Sequence, residues 1–126
     1  MIDVTKQIAY WMAGAEDDLA TAELLIAKNR ILHGLFFCHL VLEKAIKAHV
    51  VKVTGMVAPR SHNLIYLSEN AALEFDEDAR QFLGILMKYQ LQGRYPDFSP
   101  VLPDVLKTNE YFNKTKTLMQ WLKERL

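Results

Sequence analysis

Three residues with chemically useful side chains are spaced so that they could act together. His39, Glu43 and Lys47 recur every four residues. Each step of four residues turns an α-helix by only about 40°, so the three side chains form one stripe on a helix. We take Lys44 as an extension of the same sector. The surrounding sequence is strongly apolar, and burying charge is costly unless the charge is paired.

Two interpretations of this stripe are open. It is either the solvated face of an amphipathic helix, with Glu43–Lys47 as a surface pair worth a few tenths of a kcal/mol, or a covered surface. A covered stripe would be the polar wall of a cleft or the seam of a homodimer. Large apolar residues intrude into the same sector and favour the covered surface: Phe36, Leu40, Val50 and Val51.

A second candidate segment, Arg60-Ser61-His62, precedes a short predicted helix. Arg60 and His62 beside a helix N-terminus suit an anion, because the free N–H groups and the helix dipole add to the side-chain charge. The alternative is a helix-capping segment, in which Ser61 or Asn63 accepts a hydrogen bond from an N–H of the first turn.

A third candidate segment is Arg94-Tyr95-Pro96-Asp97, in a proline-rich stretch that cannot be helical. Arg94 suits bidentate contact with a phosphate, and Tyr95 can stack on a base. Asp97 can pair with Arg94 or cap a turn. The alternative is a structural turn in which Arg94 pairs with a carboxylate and Tyr95 packs on the protein.

The sequence lacks several catalytic patterns. It has no Cys pair or His-rich helix face that would hold a metal, and no glycine motif of a phosphate-binding loop or dinucleotide fold. The Gly-Ser segment and clustered aspartates of a nucleotidyltransferase are also missing. Cys38 and His39 are adjacent and point about 100° apart on a helix, so they do not form a nucleophile–base pair. We predict no catalytic residue, no metal and no cofactor.

Apolar periodicity predicts the elements that must position these segments. We expect five helices without strands, arranged as an all-α, antiparallel up-and-down four-to-five-helix bundle that forms one domain over residues 1–126. The second helix is apolar over most of its circumference and should be the most central. The predicted bounds are about Asp3–Lys28, Leu32–Thr54, Leu64–Ala72, Glu77–Gln90 and Val105–Arg125.

Composition restricts the partners. Fifteen basic residues balance fifteen acidic ones, so a polyanion could be held only by a local cluster of cations. One cysteine excludes an intramolecular disulfide and favours a reducing compartment. The polar residues 1–6 do not resemble a secretory signal, and residues 31–53 carry too many polar side chains for a membrane span. We therefore expect a cytoplasmic protein without membrane contact.

Four fragments, in this order, resemble the HEPN domain family across nearly the whole chain. They are Ala15–Ala22, Phe37–Ala48, Pro59–Leu64 and Arg94–Asp97. The resemblance implies a helical bundle, often homodimeric, that in many prokaryotes is encoded beside a minimal nucleotidyltransferase in a two-component, toxin–antitoxin-like module. It also implies similarity to the helical substrate-binding domain of aminoglycoside nucleotidyltransferases. Some relatives bind nucleotides, and others are metal-independent RNases.

The sequence departs from the RNase branch of this family. That branch uses an Arg followed, after roughly four to six residues, by a His on the same helical face. Here one residue separates Arg60 from His62, two separate Arg30 from His33, and no His follows Arg94. We therefore expect no RNA cleavage.

Three hypotheses follow. The first is a nucleotide-binding module, the accessory or substrate-binding subunit of a nucleotidyltransferase. The second is an RNase toxin that uses His39 or His62 with Arg60 or Arg94, with RNA as its substrate. The third is a purely structural dimeric subunit. For the first, the expected ligand-binding residues are His39, Glu43, Lys44, Lys47, Arg60, His62, Arg94, Tyr95 and Asp97.

Overall fold

The computed structural model describes residues 1–90 and 101–126, and within these ranges it contains five helices and no strand. The all-α prediction is confirmed. The helices end within three residues of their predicted bounds, with the largest difference at the end of the fourth helix, at Met87 instead of Gln90. Their bounds are α1 Val4–Ala27, α2 Ile31–Thr54, α3 Leu64–Asn70, α4 Glu77–Met87 and α5 Val105–Glu124.

Side-chain caps define where the helices begin and end. Asp76 accepts a hydrogen bond from the Ala79 N–H at the start of α4. Of the two candidates before α3, Asn63 is the cap, and it accepts from the N–H groups of Ile65 and Tyr66. Gly55 ends α2 in the left-handed conformation at φ 69°, which glycine adopts without a Cβ clash.

The long helices α1 and α2 form an antiparallel hairpin whose turn passes through Asn29 at φ 59°. Gly34 lets the two helices approach closely, because a Cβ there would lie 2.6 Å from a side-chain carbon of Ile26. Helix α2 contacts all four other helices and contributes the largest share of the buried residues. Its predicted central position is therefore observed.

Two side chains of α2 hold the end of α5. His49 Nε2 lies 2.8 Å from the Leu122 carbonyl oxygen, and Lys52 Nζ donates to the Arg125 carbonyl at 2.8 Å. Burial lowers the pKa of His49 below 6.5, so the neutral ring donates its Nε2–H to that carbonyl. The Lys52 bond satisfies the carbonyl of Arg125, the C-cap residue of α5. The Leu122 carbonyl accepts from the Arg125 N–H at 3.2 Å as well as from His49.

None of the helices in the part of the chain that the structure describes is long and apolar enough to cross a membrane.

Candidate functional site

The polar stripe of α2 is buried. The exposed fractions of His39, Glu43 and Lys47 are 0%, 4% and 5%. The solvated-face interpretation is therefore wrong, and the stripe is a covered surface. It is covered within the chain itself, by Trp11 of α1 and by His62 from the segment that precedes α3.

These side chains form a connected network, which we call the buried polar cluster: His39, Glu43, Lys47 and His62. Glu43 Oε1 accepts a hydrogen bond from His62 Nδ1 at 2.9 Å, and Glu43 Oε2 accepts from Lys47 Nζ at 3.1 Å. His39 Nε2 lies 2.9 Å from the His62 carbonyl oxygen. The cluster thus ties the connection between α2 and α3 to the middle of α2.

His39 is a neutral structural group in this cluster. Burial lowers the pKa of His39, and this effect exceeds the opposing attraction of Glu43. With its proton on Nε2, which faces the His62 carbonyl, the ring turns an unprotonated Nδ1 toward Glu43 Oε1. That distance is 3.6 Å, and Nδ1 makes no hydrogen bond within the described residues. The pair is therefore not an ion pair, and His39 is closed off from any ligand.

Lys47 connects the buried polar cluster to a surface groove. Its ammonium group lies 5.2 Å from the centroid of the Trp11 ring, within the range of a cation–π contact. It also pairs with Glu43 at 3.1 Å, with both side chains less than a tenth exposed. The charge of Lys47 is thus held in one position by a carboxylate and an aromatic face.

The groove, of about 1000 Å³, lies between the first turns of α1 and the segment Val57–Arg60. We call it the basic groove. Three cationic side chains line it, those of Lys6, Lys47 and Arg60, together with the exposed Tyr10 and the half-buried Trp11. Among its described lining residues the one carboxylate is that of Asp3, which caps α1 by accepting from the Lys6 N–H at 3.0 Å.

The structure brings together only some of the residues predicted for the site. Lys47 and Arg60 line the basic groove, whereas His39, Glu43 and His62 lie in the cluster behind it. Lys44 belongs to neither group, since it reaches over Gly14 to pair with Asp18 at 2.7 Å. The prediction that Lys44 extends the polar stripe is therefore wrong. Arg94, Tyr95 and Asp97 lie outside the described residues.

The start of α3 has few N–H groups left for an anion. Asn63 Oδ1 accepts from Ile65 and Tyr66, both at 3.0 Å, and the Leu64 N–H faces the Met87 sulfur at 3.3 Å. Ser61 Oγ accepts from the Asn63 N–H at 3.1 Å. The capping interpretation therefore describes this segment, and Arg60 contributes through its side chain alone.

Comparison with protein families gives a match to the HEPN domain over residues 8–126. The chain belongs to the HEPN family. A structure from Thermus thermophilus, TT1696, is similar with a TM-score of 0.78 and 22% identity, over 95% of this chain and 98% of that one. The archaeal HEPN homologue ST0689 is similar with a TM-score of 0.64 and 18% identity, over 94% and 96%. Comparison with curated proteins gives no match.

Among the groove residues of this HEPN domain, Lys6, Tyr10 and Trp11 were not predicted from the sequence. Trp11 falls on the apolar stripe of α1, which includes Ile8, Met12, Ala15 and Leu19. This spacing is typical of core residues, yet Trp11 is only half-buried. Tyr10 was not singled out, although it lies outside that stripe and four residues after Lys6, on the same helical face. An aromatic residue off the apolar stripe and beside a lysine was the available signal.

Within residues 1–90 and 101–126 of this HEPN domain, no three His, Cys, Asp or Glu side chains are grouped as they would be around a metal ion. Cys38 is fully buried, and burial raises the pKa of its thiol to about 11. A thiol with that pKa is almost entirely protonated at neutral pH and is a poor nucleophile. The groups that the basic groove presents to a ligand are cations and aromatic rings.

Proposed function

We propose that this HEPN domain binds a phosphate-bearing ligand, foremost a nucleotide, in the basic groove. The observation that carries the proposal is the arrangement of Lys6, Lys47 and Arg60 around one groove that also exposes Tyr10. The whole chain has no net charge, so three cations beside one carboxylate are a local concentration of positive charge. Such a concentration is the condition under which a neutral protein can hold a polyanion.

The cations differ in how much of their charge is available. Lys47 is paired with Glu43, whereas Lys6 and Arg60 are exposed and make no ion pair with any described residue. Arg60 is suited to two parallel hydrogen bonds to phosphate oxygens, and Lys6 to a single ammonium contact. We assign the main phosphate contact to Arg60, a supporting one to Lys6, and a fixed background potential to Lys47.

The aromatic pair supplies a surface for a base. Tyr10 is 70% exposed and packs edge to face with Trp11, with ring centroids 5.2 Å apart. Stacking of a base on an exposed aromatic ring contributes about 1–3 kcal/mol in nucleic-acid complexes. The groove volume of about 1000 Å³ lies at the upper end of the range for small-molecule sites. It would accommodate a nucleoside with its phosphates.

In this proposal the buried polar cluster positions the site. His39 and Glu43 hold the backbone and ring of His62, and Arg60 lies two residues before His62. Fixing this segment limits the positions that the Arg60 guanidinium can take over the groove. Restricting a binding side chain before the ligand arrives reduces the entropy lost on binding.

We further propose that the domain is the accessory or substrate-binding subunit of a nucleotidyltransferase pair in the cytoplasm. Family membership supports this role, and so does the lack of a Gly-Ser segment with clustered aspartates in the sequence. Nucleotidyl transfer would then need a second chain to supply the catalytic groups. The free, buried Cys38 agrees with a reducing compartment.

The test is calorimetric titration of ATP and GTP into the wild type, Arg60→Ala and Lys6→Ala. Loss of a charged hydrogen bond to phosphate costs about 1.5–3 kcal/mol, so Arg60→Ala should lower affinity by about ten- to hundredfold. Arg80→Ala is the matched control, since Arg80 is exposed on α4, away from the groove. Circular dichroism checks that each variant is folded. Equal affinity in wild type and Arg60→Ala, or an equal loss in Arg80→Ala, would reject the site.

Among the described residues, the RNase alternative retains one candidate pair, His62 with Arg60. His62 keeps 41% of its side chain exposed, and Glu43 orients its ring through Nδ1, while Arg60 is exposed two residues before it. His39 is unavailable because it is fully buried. We expect purified protein to leave RNA intact. Cleavage that survives a chelator and disappears in His62→Ala would make the RNase hypothesis the better one.

The homodimer is a proposal that rests on family membership. Of the four apolar residues that suggested a dimer seam on α2, Val50 and Val51 pack within one chain, because they are 1% and 0% exposed in the monomer. Phe36 and Leu40 stay partly exposed. Sedimentation equilibrium at high micromolar concentration should still show a species of twice the 14.5 kDa monomer mass. A monomer throughout would remove the dimer from the proposed function.

A further inference from the structure

We propose that a second groove, formed by one face of α5 and the start of α4, is the docking site for a basic amphipathic helix of a partner protein. This groove has a volume of about 790 Å³, and we call it the acidic groove. It shares no lining residue with the basic groove, so the inference does not depend on nucleotide binding. Its apolar surface comes from Phe75, Phe82, Leu106, Leu118 and Trp121.

The groove follows α5 for most of its length. Its lining residues on this helix begin at Leu106, continue through Glu110, Asn113 and Thr117, and end at Trp121. Steps of three or four residues keep them on one helical face. At about 1.5 Å per residue this face is about 22 Å long, which matches about four turns of a partner helix. The length of the groove therefore favours a helix over a compact small molecule.

Large apolar side chains are exposed to solvent on this face, at Leu106, and next to it in the chain. Leu106 is 81% exposed and Val105 is 63% exposed, and the preceding Val101 is 90% exposed. Large apolar side chains that are exposed together mark interaction surfaces more often than isolated ones do. A partner helix that places Leu-sized side chains against Leu106 and Trp121 would bury them.

The negative charge of the acidic groove favours a basic partner. Four carboxylates line the groove, those of Glu74, Asp76, Asp78 and Glu110, and Lys114 is the one basic side chain among its described lining residues. A second copy of this chain docked about a two-fold axis through this face would bring like charges together, which is unfavourable. A partner that presents Lys or Arg on either side of an apolar stripe would meet complementary charge.

Lys114 shows the environment that a partner's ammonium group would enter. Its Nζ lies 3.5 Å from Asp78 Oδ1, 4.0 Å from Glu110 Oε1 and 5.8 Å from the Phe82 ring centroid. Both carboxylate distances exceed the roughly 2.7–2.9 Å of a close charge-assisted hydrogen bond. Glu110 also pairs with Lys107, through Oε2 at 3.3 Å. Asp78 and Glu110 are 76% and 48% exposed in their side chains, so a partner's cation can reach both carboxylates and compete with these long, exposed pairs.

The probe is a synthetic 15-residue peptide with Leu at helical spacing and Lys elsewhere, compared with a peptide in which Glu replaces every Lys. The readout is the amide and indole resonances of the isotope-labelled full chain. The two tryptophans report on different grooves, since Trp11 lines the basic one and Trp121 the acidic one. We expect saturable shifts at Asn109, Asn113 and the Trp121 indole with the Lys peptide, and none with the Glu peptide.

Two variants test the apolar and the charged part separately. Leu106→Ala should lower affinity for the Lys peptide by about fivefold or more, and Glu110→Gln should lower it in a salt-dependent way. Both positions are exposed, so both variants should fold. Leu24→Ala and Glu23→Gln, on the exposed side of α1, are the matched controls and should bind as the wild type does.

Three outcomes would overturn the proposal. The first is shifts that centre on the Trp11 indole or spread over the whole molecule. The second is unchanged affinity in Leu106→Ala. The third is binding of spermidine, which has amines but no apolar stripe, with the same shifts and the same affinity, because that result would indicate a site for small polycations.

Discussion

The basic and acidic grooves of this HEPN domain hold their charges in opposite ways. In the basic groove, Lys47 belongs to a buried cluster in which Glu43 and Lys47 are 5% and 7% exposed in their side chains. In the acidic groove, the Lys107–Glu110 pair beside it is 50% and 48% exposed. Buried charges depend strongly on their partners, and exposed pairs depend on them little. The charge of Lys47 in the basic groove therefore depends on buried partners, whereas the charges of the acidic groove lie on the protein surface.

The net charge of zero does not show that positive and negative side chains are distributed unevenly over the two grooves. Fifteen positive and fifteen negative side chains are not mixed evenly, since three cations line one groove and four carboxylates line the other. The two grooves share no lining residue, and salt screens exposed charges over about 8 Å at physiological ionic strength. The charges that line a groove therefore act most strongly on its own ligand, and the two surfaces suit partners of opposite sign.

The largest expected effect comes from breaking the buried cluster. Glu43→Ala removes the carboxylate that pairs with Lys47 and orients His62. Removing one partner of a buried ion pair costs about 3–5 kcal/mol, because the remaining charge stays desolvated. Urea denaturation should show a loss of this size in the free energy of unfolding.

The matched change in the acidic groove is Glu110→Ala, which removes a half-exposed carboxylate from pairs with Lys107 and Lys114. We expect a loss below about 1 kcal/mol. Similar losses of unfolding free energy in the two variants would show that Lys47 reaches solvent when Glu43 is absent. The proposed difference between buried and surface charges would then be wrong.

A second prediction concerns the dependence of the free energy of unfolding on pH. Burial lowers the pKa of both His39 and His49 from 6.5, so below pH 6.5 the unfolded chain binds protons that the folded chain excludes. The free energy of unfolding should therefore be highest above pH 6.5 and fall as the pH drops toward the lowered pKa values. The slope for each histidine is at most about 1.4 kcal/mol per pH unit.

Denaturation between pH 7.5 and pH 5 measures this dependence. His49→Gln should flatten the curve, because an amide at this position can still donate to the Leu122 carbonyl but does not titrate in this range. His33→Gln, at an exposed histidine, should leave the slope unchanged. A slope that is the same in His49→Gln and in wild type would assign the acid sensitivity to other groups.

The smallest predicted effect separates a carboxylate that caps a helix from one that makes only an exposed ion pair, both at the rim of the acidic groove. Asp76 accepts from the Ala79 N–H at 2.8 Å, and loss of an N-cap costs about 1 kcal/mol. Asp78, whose side chain is 76% exposed, makes no cap. Thermal unfolding should show a clear decrease in Tm for Asp76→Ala and a change near the measurement error for Asp78→Ala. Equal decreases would mean that lost surface charge, and not capping, is being measured.

The fold could be predicted largely because its determinants are local. The helices end within three residues of their expected bounds, since apolar spacing, Asp76, Asn63 and Gly55 act on the chain within a few residues. The central position of α2 followed from its apolar circumference. These signals do not depend on which elements meet in space.

The site was predicted only in part, because its residues come from different elements that pack together in the folded chain. Lys47 and Arg60 were named and do share a groove. Lys6 and Tyr10 come from the other helix of the α1–α2 hairpin, and their position beside Lys47 follows from the packing of the two helices. Helical periodicity placed His39, Glu43 and Lys47 on one stripe, but it did not show what covers them. Trp11 and His62 cover them through contacts that no sequence spacing encodes.

The hairpin of α1 and α2 has a consequence for the order in which the chain folds. Its helices are joined by a turn of three residues, so most of their contacts close short loops, and such contacts form fast. The bonds from His49 and Lys52 to the end of α5 span 73 residues each and close a much longer loop. We expect amides in the middle of α2 to be protected from hydrogen exchange earliest during refolding, and those of the last turn of α5 latest.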